Sequence, residues 1–263
     1  MKLGPLALTP IWREGLLGLE LHGLMHDPLF TDPPEAHTSR PVMLIPGFLT
    51  GDAQMGTLAA WLRRCGHRTH TSGIRLNVDC AESAMARLEE RLETFVRQEG
   101  EPAVLIGQSR GGTFARVLAV RRPDLVSSIV TLGSPHLDPL AVHPLVWVQG
   151  ASLAALSAVG VPGLASHRCR SGPCCERFWQ DLSAPLRKEI EFVSIYSERD
   201  GIVDWQACLD PHAVHAKVSS THCGMAVNAA VYEVLDSVLH RRTARRQSRR
   251  RAPRRAAQAR TAA

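Results

Sequence analysis

A chain of 263 residues can bury a substantial core as one α/β domain and needs no division into two. Hydrophobic residues at 44% and charged residues at 21% exclude wholesale disorder and argue against a multi-spanning membrane protein. The net charge of +6 belongs to one end: ten arginines and no acid lie between Arg241 and Ala263, which leaves residues 1–240 at about −4.

Residues 1–38 carry Leu16, Leu17, Leu19, Leu21 and Leu24 ahead of Pro33 and Pro34. That pattern predicts a helical extension packed on the domain and an extended connector after it. The opening stretch from Met1 to Glu14 has too short an apolar run and too early a charged pair for a secretory signal. The expected setting is therefore cytoplasmic, with peripheral contact to a membrane as the alternative. In that setting the seven cysteines are expected as reduced thiols.

Residues 39–240 read as strands alternating with helices, which implies a mostly parallel central sheet with helices on both faces. Pro41-Val-Met-Leu-Ile-Pro46 is a buried strand followed by the loop Gly47-Phe-Leu-Thr-Gly-Asp52. A helix through Met55, Leu58, Ala59 and Leu62 runs up to Cys65-Gly66, where glycine stops it. A strand is expected near Arg68 to Ile74, and Ala81 to Gln98 is a long amphipathic helix.

Ala103 to Ala115 then reads as a short apolar strand, a tight turn and the start of a helix. Gly107-Gln-Ser-Arg-Gly111 fits a GxSxG turn, in which glycines stand where any side chain would collide and the central serine hydroxyl is lifted clear. A helix to about Arg121 and a strand from Leu125 to Leu132 follow, ending in Gly133-Ser-Pro-His136. From Pro139 to Ser166 there is no Asp, Glu, Lys or Arg. Pro144, Gly150, Gly160, Pro162 and Gly163 break this run, which favours an apolar helical cap, about 137–187, over a membrane span. Glu191 to Tyr196 and Val214 to Ser219 are further strands, and Met225 to about His240 is the last helix.

In an open parallel sheet the reactive groups gather on loops beyond the carboxyl ends of the strands. Here those loops offer Gly47-Phe48, Ser109, the acids Glu198, Asp200 and Asp204, and His222. A serine needs a base to take its proton, and an imidazole base needs a carboxylate to hold its tautomer. The chain order serine, acid, histidine meets that requirement.

From these residues the chain resembles the α/β-hydrolases, and within them bacterial lipases and esterases, over roughly Pro41 to Leu239. The resemblance implies Ser109 as nucleophile, Asp200 as acid, with Asp204 as the competing choice, and His222 as base. It puts the oxyanion hole on the backbone amides of Phe48 and Arg110; lipases often have histidine before the loop glycine, where this chain has Pro46. His136 is the strongest competing histidine, and the resemblance gives its loop a structural role. His212 and His215 are read as packing or surface residues. The implied reaction is hydrolysis of an apolar carboxylic ester through an acyl-enzyme. The alternatives are an acyltransferase on the same triad and a non-catalytic binding protein on the scaffold.

No cofactor is expected. His167, Cys169, Cys174 and Cys175 match no well-defined zinc module, and adjacent cysteines rarely share one ion, so no metal is expected either. Cys208 and Cys223 flank the acid and the base, so a bond between them, which would brace both loops, is the alternative to reduced thiols there. The tail from Arg241 is too charged to fold alone; it is expected to stay disordered and to make at most nonspecific anionic contacts. It has no aromatic residues to stack on bases.

Overall fold

The computed structural model describes residues 9–240; the arginine-rich tail lies outside the described residues. Six strands, β1 (Pro41–Ile45), β2 (Arg68–Thr71), β3 (Ala103–Gln108), β4 (Val126–Leu132), β5 (Glu191–Tyr196) and β6 (Val214–Lys217), form one sheet. All pair in parallel, in the order β2-β1-β3-β4-β5-β6. Helices α1 (Leu17–His26) and α2 (Pro28–Thr31) precede the sheet, and α3 (Gly56–Arg64), α4 (Ala81–Glu99) and α5 (Arg110–Arg121) follow β1, β2 and β3. Between β4 and β5 lie α6 (Pro144–Ala158), α7 (Arg168–Ser171) and α8 (Glu176–Ser183). A last helix, α9, spans residues 229–240.

The central strands read as unbroken apolar runs because both of their faces are covered. Val42 and Leu44 of β1 face a core shared with Leu24 of α1, Trp61 of α3 and Tyr232 of α9. The alternate residues Met43 and Ile45 face a second core with Leu88 of α4, Phe114 of α5 and Phe178 of α8. Chain direction across the sheet reverses between β1 and β3, which opens a crevice beyond their carboxyl ends. The loop of Gly47 and Phe48 and the turn of Ser109 both emerge there.

Three expected boundaries move. β2 stops at Thr71 rather than Ile74, because the Asp52 carboxylate accepts hydrogen bonds from the Ser72 and Gly73 amides and the Ser72 hydroxyl and turns the chain away. Edge strand β6 ends at Lys217, short of Ser219. The last helix starts after Asn228, whose side chain caps the Ala230 amide, while Cys223–Val227 forms a separate 3-10 turn. Among the described residues, no helix is long and apolar enough to cross a membrane; the uncharged run is divided, and only Pro144–Ala158 of it is helical.

Candidate active site

The turn between β3 and α5 is strained at its centre, where Ser109 has φ 52° and ψ −122°, a conformation that L-residues rarely hold. The surroundings enforce it. A Cβ at Gly107 would overlap the Gly111 carbonyl, and one at Gly111 would lie 2.5 Å from the Pro46 oxygen. The Ser109 amide donates to the Leu132 carbonyl at 2.8 Å, which ties the turn to β4.

The loops after β5 and β6 bring Asp200 and His222 together. Both are buried, and Nδ1 of His222 meets Oδ2 of Asp200 at 2.7 Å. The other carboxylate oxygen of Asp200 accepts from the Ile202 and Val203 amides at 2.8 and 2.7 Å. With Oδ1 held by two backbone donors, Oδ2 is left to accept the imidazole proton, so that Nδ1 is protonated and Nε2 is the basic nitrogen. Burial alone would lower the imidazole pKa; the charge of Asp200, the hydrogen bond to it and the charge of Glu14 outweigh burial and leave it raised.

Asp204, the competing acid, instead accepts from the Gln206 amide at the start of a 3-10 turn. His136 is buried against Phe192 with its Nε2 on the Thr131 hydroxyl at 3.1 Å, and burial lowers its pKa to about 3. It is a neutral core residue. His212 and His215 both bond Asp210. Cys208 and Cys223 are free thiols, so no bond between them braces the loops. Burial and Glu14 push the Cys223 thiol up to about 12, which keeps it protonated beside His222.

Ser109, His222, Phe48 and Arg110 all line one cavity of about 470 Å³. The segment between β4 and β5 contributes Leu140, Val146, Trp147, Phe178 and Trp179 to its lining. Such walls suit an apolar ligand with a few polar groups at one end. Arg110 is the first residue of α5, so its amide has no partner inside the helix. Asn77 braces the other loop by donating from Nδ2 to the Pro46 carbonyl at 2.9 Å.

Three supports escaped the sequence. Glu14 and Glu20, on the extension read only as packing, reach under the histidine loop. Glu14 accepts from the amides of Gly201, His222 and Cys223 at 2.9, 2.9 and 2.8 Å, and so fastens the acid-bearing and histidine-bearing loops to each other. Glu20 accepts from the Thr221 amide at 2.7 Å and bonds the Ser220 hydroxyl. Gln108, buried next to the serine, donates to the His222 carbonyl at 2.8 Å. An isolated Glu-x5-Glu spacing gives no hint of such a role, because the contacts form only after the extension docks.

Residues 40–153 match a family model described as the alpha/beta hydrolase fold. The sn-1-specific diacylglycerol lipase ABHD11 of Mus musculus is 31% identical over 131 residues, covering 48% of this chain and 41% of that relative. The match thus spans less than half of the mouse protein. Among solved structures, the mature Bacillus licheniformis lipase BlEst2 superposes with a TM-score of 0.59 at 16% identity, over 78% of this chain and 94% of that one. A monoacylglycerol lipase of Paleococcus ferrophilus gives 0.51 at 14% identity, over 77% and 96%. At these identities the likeness is one of fold.

Proposed function

The chain belongs to the α/β-hydrolase superfamily, and on that premise we propose that it is a serine hydrolase of apolar carboxylic esters. The observation that carries this reading is the Asp200–His222 pair at 2.7 Å, opening onto the same apolar-walled cavity as the strained Ser109.

In this mechanism Nε2 of His222 takes the Ser109 proton as the hydroxyl oxygen attacks the ester carbonyl. Charge develops on the carbonyl oxygen, and the amides of Phe48 and Arg110 stabilise it. The imidazolium, held by Asp200, returns the proton to the leaving alcohol, and an acyl group remains on Ser109. A water then gives its proton to His222 and attacks the acyl carbon. His222 returns that proton to the Ser109 oxygen as the bond to the acyl carbon breaks and the carboxylic acid departs. The apolar segment between β4 and β5 would take the acyl chain, in keeping with the mouse diacylglycerol lipase as a relative.

Hydrolysis of short and long p-nitrophenyl esters by the parent and by Ser109→Ala tests the reading. It expects a burst of phenol followed by turnover from the parent, and neither from the variant. Equal hydrolysis by both proteins would overturn it.

A further inference from the structure

Outside the candidate active site, four thiols converge. The Sγ atoms of Cys80, Cys169, Cys174 and Cys175 all lie within 4.8 Å of one another. Cys80 precedes α4 on the body of the domain, whereas the other three come from α7 and the turn after it in the cap. The sequence shows three of these cysteines in one short segment and hides the fourth, which lies 89 residues before Cys169 and meets it only in the fold.

The spacing of the sulfurs selects among their possible states. Cys80 and Cys175 are 3.4 Å apart, and Cys174 and Cys175 are 3.9 Å apart. A disulfide requires about 2.05 Å. Four thiolates about 2.3 Å from one tetrahedral zinc ion stand about 3.8 Å from each other. The observed separations bracket that edge length. The adjacent Cys174 and Cys175 close the 3-10 turn Pro173–Cys175, and their sulfurs both fall within the cluster. Gly172 permits this turn, since a Cβ there would fall 2.7 Å from the Arg168 carbonyl oxygen.

A second observation concerns charge. The guanidinium of Arg110 donates to the backbone carbonyls of Asn77 and Asp79, and among the described residues it forms no ion pair with a carboxylate. The charge of Asp79 acts on it first, followed by the sulfurs of Cys175, Cys80 and Cys169. A zinc ion bound by four thiolates carries a net charge of −2, which would complement that cation. We propose that Cys80, Cys169, Cys174 and Cys175 form a structural zinc site that pins the cap to the start of α4. Binding replaces four thiol protons with one Zn²⁺, with no change in oxidation state. Cys169 also lines the catalytic cavity, so the ion would fix one of its walls. The site is independent of the ester-hydrolase reading: zinc can be present in an inactive protein or absent from an active one.

The test is metal content of the full-length chain purified without chelators. About one zinc per chain is expected, and replacement by cobalt(II) should give the intense ligand-field and charge-transfer bands of tetrahedral thiolate coordination. Cys174→Ser, at an exposed position, should lose the stoichiometric zinc and the thiolate spectrum, whereas Cys65→Ser, at the buried C-terminal end of α3, should keep both. Because the parent's own metal content is decisive, misfolding of a variant does not blunt the test. A parent with fully reduced thiols but neither zinc nor a cobalt–thiolate spectrum would overturn the proposal. So would a mapped Cys80–Cys175 disulfide.

Discussion

Replacing Asp200 with asparagine removes one charge while nearly preserving shape, and the structure fixes what the amide must do. The oxygen at Oδ1 accepts from the Ile202 and Val203 amides at 2.8 and 2.7 Å, so the asparagine carbonyl has to stay there. Its NH₂ group then occupies the Oδ2 position, 2.7 Å from Nδ1 of His222 in the parent. Facing a donor, Nδ1 must give up its proton, and the hydrogen moves to Nε2, where it blocks acceptance of the serine proton. The forming imidazolium also loses its counter-charge. For unit charges about 4 Å apart at an effective dielectric of about 20, that is about 4 kcal/mol, or about 10³ in rate. With the tautomer fault added, kcat should fall by about 10⁴. Steady-state hydrolysis from about pH 5 to pH 9 reads both effects. Because Asp200 helps hold the imidazole pKa above its ordinary value, the residual activity should keep its acid limb at lower pH than the parent. A folded Asp200→Asn protein with kcat within tenfold of the parent and an unmoved acid limb would refute the reasoning.

Glu14→Gln should shift the acid limb of kcat/KM in the same direction by a smaller step, since one carboxylate near His222 is lost. It should also destabilise the fold by about 1–3 kcal/mol in urea melts, because the new NH₂ opposes the Cys223 amide. Gly111→Ala would press a methyl on the Ile45 and Pro46 carbonyls and displace the Phe48 loop, lowering kcat by about 10²–10³ with the protein still able to bind substrate. Arg116→Leu leaves Asp210 without its buried partner at 2.5 Å and frees the Asp181 and Ala184 carbonyls at the end of α8, costing about 3–5 kcal/mol by denaturant titration. Burial would raise the Asp210 pKa, but the His212 amide and Arg116 hold it below the ordinary carboxylate range. The pair's stability is therefore present above the ordinary carboxylate pKa and lost as pH falls through the depressed one, and Arg116→Leu should flatten that acid loss.

What could be read from the chain and what could not follows from the range of the forces involved. The elbow was legible because sterics act locally: Gly107 and Gly111 are required wherever a strand turns so sharply into a helix around Ser109. The strands were legible because burial on both faces leaves continuous apolar runs such as Pro41–Ile45. The pairing of Asp200 with His222 was reached through family resemblance, since 22 residues and an edge strand separate them. The contacts of Glu14 and the meeting of Cys80 with three later cysteines were invisible. Each side chain meets its partners across a long span of sequence, through the docking of the N-terminal segment in one case and of the segment between β4 and β5 in the other. The ends of β2 and of the last helix moved because single polar side chains, Asp52 and Asn228, compete with the ladder and the helix for backbone donors.

The central claim is that Ser109 is an activated nucleophile, and its most direct measurement is covalent capture. Incubation with a serine-reactive alkyl phosphonate, followed by intact-mass and peptide analysis, should show one adduct per chain, carried by the peptide containing Ser109. Labelling should be lost in Ser109→Ala and strongly slowed in His222→Ala. An unmodified protein at saturating phosphonate, or an adduct on a different residue, would contradict the account.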